Sequence, residues 1–256
     1  MKSNSAGLVI FDLDNTLVDR NAVFENAQRE IIERTKGCKA TERDMRVLRE
    51  MDSILIEKKK SHLYPFEILA LSLWFYYHKN ITMEESILKS LSAFEDKSRK
   101  SKEIEEAIVR AEETASIFND IINGPAKPFE GVKEVLETMK KRGYKMILLS
   151  ESSELMQRKT LEVHNLKHYF DDIILCAQKN KKCFLDIKKQ WGGDDSGTVR
   201  FFVVGDGIER DIVPGNEAGA VTVWKPGNFN PGVRGPGVKQ PDYSVEDIRD
   251  LLTILP

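Results

Sequence analysis

The chain has 256 residues, enough for one large domain or for a domain carrying a smaller insert. Hydrophobic residues make up 41% and the formal net charge is -2, which allows a sizeable core and gives no global pull toward nucleic acid or an anionic membrane. Three widely spaced cysteines, Cys38, Cys176 and Cys183, fit a reducing cytoplasm better than a disulfide framework.

The N-terminal residues lead into a short apolar run at 8–11 without the long apolar core of a signal peptide. That run predicts a buried strand. Asp12 and Asp14 follow it, with Thr16 two residues later. Strand alternation predicts that both carboxylates share one face. Two like charges that close repel unless a cation or a proton stands between them. Ligands of open α/β sheets bind beyond the carboxyl ends of the strands, so this pair predicts a metal-assisted reaction centre.

Residues 19–123 are rich in Glu, Lys, Arg, Leu and Ile, with Pro65 and Gly37 as nearly the only breakers. They predict several helices and no strand. The longest apolar stretch, 68–77, is too short to span a bilayer, is interrupted by Ser72, and reads as a buried helix or a subunit contact. Its aromatic patch, Trp74, Phe75, Tyr76 and Tyr77, predicts packing within the insert, with a substrate pocket as the alternative. The lysine-rich runs at 58–60 and 97–102 read as solvated surface. Residues 124–128 read as the return linker.

From there strands and helices alternate. Val132, Val135, Leu136 and Met139 recur at helical spacing and Gly143 stands as a cap. Runs at 144–149, 173–176, 201–204 and 221–224 predict strands. Of the four histidines only His164 and His168, at i and i+4, have a metal-ligand spacing, and that pair reads as a surface helix or turn and not as a metal site. Ser244 and Asp247 resemble a capping box before a last helix. This pattern predicts an α/β fold, a doubly wound parallel sheet, with an inserted all-helical domain. The expected core is 1–18 with 124–256, and the expected insert is 19–123.

Four features fall at or just after strand ends: Asp12-x-Asp14 with Thr16; Ser150; a lysine from the group Lys179, Lys181 and Lys182; and Gly205-Asp206 with Asp211 five residues on. Either acidic motif alone reads equally well as an ordinary turn after a buried strand. In this order the four resemble the haloacid dehalogenase superfamily of hydrolases. The resemblance implies a Rossmann-like core with a helical cap inserted after the first strand, covering the carboxyl ends of the strands. It implies Mg²⁺ held by Asp12, Asp206 and the Asp14 carbonyl, with Asp211 a ligand through water or an orienting group. It implies Asp12 as nucleophile, Asp14 as acid and base, and Ser150 and one lysine as phosphate binders. Acids crowding Asp14 would favour the protonated form that its first step needs. Lys179 is the first choice, five residues before Phe184, with Lys181 and Lys182 as rivals. Glu151 departs from the Asn that many relatives carry after this serine.

The dehalogenases lack an acid two residues after the nucleophile, because a halide leaves without a proton. Asp14 therefore directs the expectation to phosphoryl transfer: a Mg²⁺-dependent phosphatase acting on a small phosphorylated metabolite in the cytoplasm, with no nucleic acid or membrane partner. A phosphomutase, or a non-catalytic binding protein on the same fold, are the alternatives. Substrate and oligomeric state are not legible.

Overall fold

The structure is a computed structural model, and it describes residues 6–60, 64–95, 101–192, 200–227 and 239–255. In chain order these form β1 (Gly7–Phe11), β2 (Val18–Asp19), α1 (Arg20–Lys36), α2 (Glu42–Lys59), α3 (Phe66–His78), α4 (Met83–Glu95) and α5 (Lys102–Ile122). Then follow β3 (Lys127–Pro128), α6 (Val132–Lys141), β4 (Tyr144–Ser150), α7 (Glu154–Val163), β5 (Asp172–Leu175) and α8 (Lys181–Trp191). The chain ends with β6 (Phe201–Gly205), α9 (Val213–Glu217), β7 (Val221–Trp224), β8 (Tyr243–Ser244) and α10 (Leu251–Ile254). Two compact units result: Met1–Asn21 with Gly124–Pro256, and Ala22–Asn123.

The first unit is built on a six-stranded sheet in the order β5-β4-β1-β6-β7-β8. Every described pairing in it is parallel. All residues of β1 and β6 are buried, as expected of strands covered on both faces. Leu8, Ile10, Ile147, Leu149, Phe201 and Val203 join Phe184 and Ile187 of α8 in one cluster. The alternate residues, Val9, Phe11, Met146 and Leu148, are equally buried and point to the opposite face. This is the doubly wound α/β architecture.

The sheet order fixes the site. From β1 the chain builds β4 and β5 to one side, then β6 and β7 to the other, so the order reverses at β1. Phe11 pairs with Leu148 on one side and Val204 on the other. The ends of β1, β4 and β6 therefore lie level, and Asp12, Ser150 and Asp206 emerge side by side.

Several details differ from the sequence expectation. β5 spans Asp172–Leu175, shifted one residue from 173–176. β2 pairs antiparallel with β3, so part of the expected linker is a strand. Ser244 and Asp247 do not form a capping box: Ser244 lies in β8 and pairs with Trp224. Asp247 alone caps a 3₁₀ turn by accepting from the Arg249 N–H. Strands of two residues carry no periodicity from which to infer them.

The second unit packs α2, α3, α4, α5 and most of α1 around Ile31, Leu48, Met51, Leu55, Leu71 and Phe118. Thr41 and Asp44 form a reciprocal capping box at the start of α2. Asp44 also accepts from Tyr77 and pairs with Lys36 at 2.8 Å. Phe75 is buried, while Trp74, Tyr76 and Tyr77 pack against the same core, so the aromatic patch is packing. Lys58, Lys59 and Lys60 are exposed. Of the run at 97–102, residues 97–100 lie outside the described residues. No described helix is long and apolar enough to cross a membrane.

Candidate active site

Asp12 is the first residue beyond β1. Its N–H donates to the Val204 carbonyl, 2.9 Å, which continues the β1–β6 pairing by one step. Its carboxylate is buried and accepts from Thr16 Oγ1 at 2.8 Å and from Lys179 Nζ at 2.5 Å. The DxDxT spacing is explained by this bond: the turn after β1 brings the hydroxyl of Thr16 back onto Asp12. Asn15 holds that turn with a positive φ of 63°, and its side chain accepts from the Asn21 N–H at 2.9 Å.

Asp14 has different company. Arg20 Nε donates to Asp14 Oδ1 at 3.1 Å, and Ser152 Oγ donates to Oδ2. The guanidinium is itself buried and also donates to the Gly124 carbonyl at 2.9 Å and to Thr160 Oγ1 at 3.3 Å. Two expectations are corrected here. The chain has left β1 at Asp12, so strand alternation does not set the two carboxylates on a common face. The charged group paired with Asp14 is Arg20, a cation, and not another acid.

Asp206 follows β6 and Asp211 sits in a π-helical turn, Ile208–Ile212. Asp211 Oδ1 accepts from Lys179 Nζ at 2.7 Å and Oδ2 from the Gly207 N–H at 3.0 Å. A side chain at Gly205 would collide with the Asp211 carboxylate, which is why glycine precedes Asp206. One carboxylate oxygen from each of Asp12, Asp206 and Asp211 lies within 4.8 Å of the other two, and all three residues are buried. Burial first, and then the charges of Asp12 and Asp211, push the Asp206 carboxyl up to about 7. Burial likewise raises Asp211, against the pull of Lys179. Burial works against the Lys179 ammonium, but Asp12 and Asp211 more than offset it and hold the group charged.

Of the three candidate lysines, the structure brings Lys179 to the acids. Lys181 is exposed at the start of α8, and Lys182 pairs with Asp186 on its own helix at 2.6 Å. Ser150 is buried at the end of β4, and its Oγ accepts from the Ser152 N–H at 3.1 Å. Glu151 turns its carboxylate to the Lys179 backbone N–H at 2.5 Å and to Arg210 Nη1 at 3.6 Å. Trp224 donates its indole N–H to the Asp206 carbonyl at 2.8 Å. Lys225 is buried, 3.6 Å from the centre of the Phe129 ring and 3.5 Å from the Asn15 carbonyl. Arg20 and Ser152 carry no motif by which sequence reasoning finds them. Only an arginine shortly after the acidic pair and a run of serines after β4 hint at them.

Three buried carboxylates around one ammonium form an oxygen donor set with excess negative charge, suited to a hard divalent cation. A curated glyceraldehyde 3-phosphate phosphatase from Methanopyrus kandleri is 22% identical to this chain over 255 residues, with 96% of each chain covered. The magnesium-bound HAD-hydrolase YfnB from Bacillus subtilis superposes with a TM-score of 0.61 at 16% identity, covering 98% of this chain and 99% of that one. A 2-haloacid dehalogenase from Pseudomonas syringae pv. Tomato DC3000 gives a TM-score of 0.51 at 20% identity, with 97% of each covered. At these identities the solved structures share the fold, and the fold alone does not separate dehalogenation from phosphoryl transfer. The family model for haloacid dehalogenase-like hydrolases spans residues 7–219, from the first residue of β1 to just past α9, and so this chain belongs to the haloacid dehalogenase-like hydrolases.

Proposed function

We propose that this enzyme is a Mg²⁺-dependent phosphatase that hydrolyses a small phosphate monoester through an aspartyl-phosphate on Asp12. The observation that carries the reading is the buried Asp12, Asp206 and Asp211 cluster, in which Lys179 bridges Asp12 and Asp211, with Asp14 two residues after Asp12. The Methanopyrus kandleri relative, named as a phosphatase of a three-carbon phosphate, supports the substrate class.

In this reading Asp12 attacks phosphorus with a carboxylate oxygen, and the ester oxygen leaves with a proton from Asp14. A water then loses a proton to Asp14 and attacks the acyl phosphate, which frees Asp12 and releases inorganic phosphate. Arg20 and Ser152 hold the Asp14 carboxylate in place. Ser150 and the Lys179 ammonium bind phosphate oxygens. Asp12, Asp206, Asp211 and the main-chain oxygen of Asp14 are the groups that would hold the Mg²⁺. When bound, the ion offsets the repulsion between an anionic nucleophile and a phosphate dianion.

The test is hydrolysis of p-nitrophenyl phosphate with Mg²⁺, with EDTA and in Asp12→Asn. Activity should require the metal and vanish in the variant. Turnover that survives both would overturn the reading. A panel of sugar phosphates and phosphorylated acids then names the substrate, and isomerisation faster than hydrolysis would make the enzyme a phosphomutase.

A further inference from the structure

We propose that Glu151 is the positioning residue of Lys179, a role that rests on the phosphatase reading above. Lys179 lies between β5 and α8, outside any regular element. Among the described residues, no sheet or helix hydrogen bond therefore fixes its main chain. Asn180, next along, is used as the cap of α8, where its side chain accepts from the Cys183 N–H at 3.2 Å. The Lys179 N–H is held instead by Glu151 Oε1 at 2.5 Å. A hydrogen bond to a carboxylate is shorter and stronger than one between neutral groups.

Glu151 is well placed to act as an anchor. It follows Ser150 directly at the end of β4, the strand beside β1. The bond from the Ser152 N–H to Ser150 Oγ stiffens the turn around it. One rigid path therefore runs from β4 through Glu151 to the Lys179 amide. From there the lysine side chain reaches Asp12 at 2.5 Å and Asp211 at 2.7 Å. Arg210 Nη1, 3.6 Å from Glu151 Oε2, covers the second oxygen, so the carboxylate does not confront a phosphate bare. This explains how an acid is tolerated beside a phosphate-binding serine.

The role needs an acceptor and not a charge, which separates it from electrostatic action on the substrate. Glutamine keeps an oxygen acceptor and alanine does not. Glu151→Ala should lower kcat/KM by about 10–100-fold, the cost of misplacing a reacting group by roughly 1 Å. Glu151→Gln should stay within about threefold of the parent, because the Lys179 N–H keeps its partner. In a Lys179→Ala background, Glu151→Ala should add less than about threefold, since the two act as one unit.

A second readout does not depend on turnover. The Lys179 backbone amide, followed by ¹H–¹⁵N NMR in folded protein, should be protected from exchange in the parent and in Glu151→Gln, and should lose that protection in Glu151→Ala. An amide that stays protected in Glu151→Ala overturns the proposal. So do losses that multiply in the double variant, or a Glu151→Gln that binds inorganic phosphate more tightly than the parent, the sign of charge repulsion. If the parent hydrolyses no phosphate monoester, the phosphatase reading fails, while the amide measurement still decides whether Glu151 anchors Lys179.

Discussion

Lys179 Nζ stands 2.5 Å from Asp12 Oδ1 and is almost fully buried there, with Asp211 as its second carboxylate partner. One ammonium thus serves the proposed nucleophile and a member of the proposed metal set together. Lys179→Met removes the only cation in direct contact with Asp12 among the described ion pairs. Breaking a buried pair from one side costs about 3–5 kcal/mol, because the remaining charge has no counterpart. Protons can substitute for the ammonium at low pH. Lys179→Met should therefore melt well below the parent at pH 8 and close to it at pH 5. Its kcat/KM should fall by roughly 10²–10³-fold, the scale of losing one donor to a developing oxyanion. Equal melting deficits at both pH values would refute the charge argument.

Asp206 sets a pH dependence for the metal-free protein. Its carboxyl is raised from an ordinary value of about 3.9 to about 7 by burial and by its acidic neighbours. The folded state therefore binds a proton that the unfolded chain has released. The stability this proton contributes is fully present below about pH 4 and is lost as pH rises through about 7. Asp44 in the helical unit runs the other way: burial notwithstanding, Lys36, Thr41 and Tyr77 hold it well below the usual carboxylate range. Asp44 is ionised throughout the interval from pH 5 to 8 and does not mask the effect. Melting in EDTA should fall from pH 5 to pH 8 as far as this site governs it. Added Mg²⁺ should raise the melting temperature more at pH 8 than at pH 5. A Mg²⁺ shift independent of pH would detach the cation from these carboxylates.

Much of the core was legible because parallel strands buried on both faces read as plain apolar runs. Those at residues 8–11, 144–149, 201–204 and 221–224 all fall within or coincide with observed strands. The motifs at their ends were legible for the same reason, since register then sets Asp12, Ser150 and Asp206 level. What escaped depended on contacts across long stretches of chain. Arg20 reaches Thr160 across 140 positions, and Ser152 reaches Asp14 across 138. No local spacing encodes such partners. Glu151 reads as a departure from the family pattern in sequence because its two partners, the Lys179 backbone N–H and the Arg210 guanidinium, come from other loops.

Arg20 and Asp14 form a pair whose two members should fail differently. Asp14→Asn leaves Arg20 its contacts with Gly124 and Thr160, so the fold should persist. Turnover should drop by about 10²–10⁴-fold, the usual worth of general acid–base catalysis. Arg20→Met takes a donor from both the Gly124 carbonyl and the Asp14 carboxylate, and leaves Asp14 with Ser152 and no cation. Hydrogen bonds to charged groups are worth about 1.5–3 kcal/mol each, so this variant should melt several degrees lower as well as turn over slowly. Melting curves beside kcat measurements check both. An Asp14→Asn variant as unstable as Arg20→Met would mean that Asp14 is structural and not catalytic.

Gly205 offers a way to disturb the acidic cluster without touching a charge. Its φ is not in the left-handed region, so alanine there meets no backbone strain; the added Cβ meets Asp211 Cβ, Cγ and Oδ2. Asp211 must move, and with it one carboxylate of the proposed metal set. Forcing a methyl into packed surroundings costs about 1–3 kcal/mol. Gly143 is the natural control: its φ of +81° makes alanine strained, yet nothing lies within 4 Å of the new Cβ. That strain is worth about 1–3 kcal/mol as well. The two variants should thus lose comparable stability, but only Gly205→Ala should lose Mg²⁺ affinity when titrated calorimetrically at pH 8. The contrast isolates geometry from stability, because the two substitutions add the same single carbon, one against Asp211 and the other into open space at a strained φ. Equal Mg²⁺ affinities in the two variants would show that Asp211 takes no part in holding the cation.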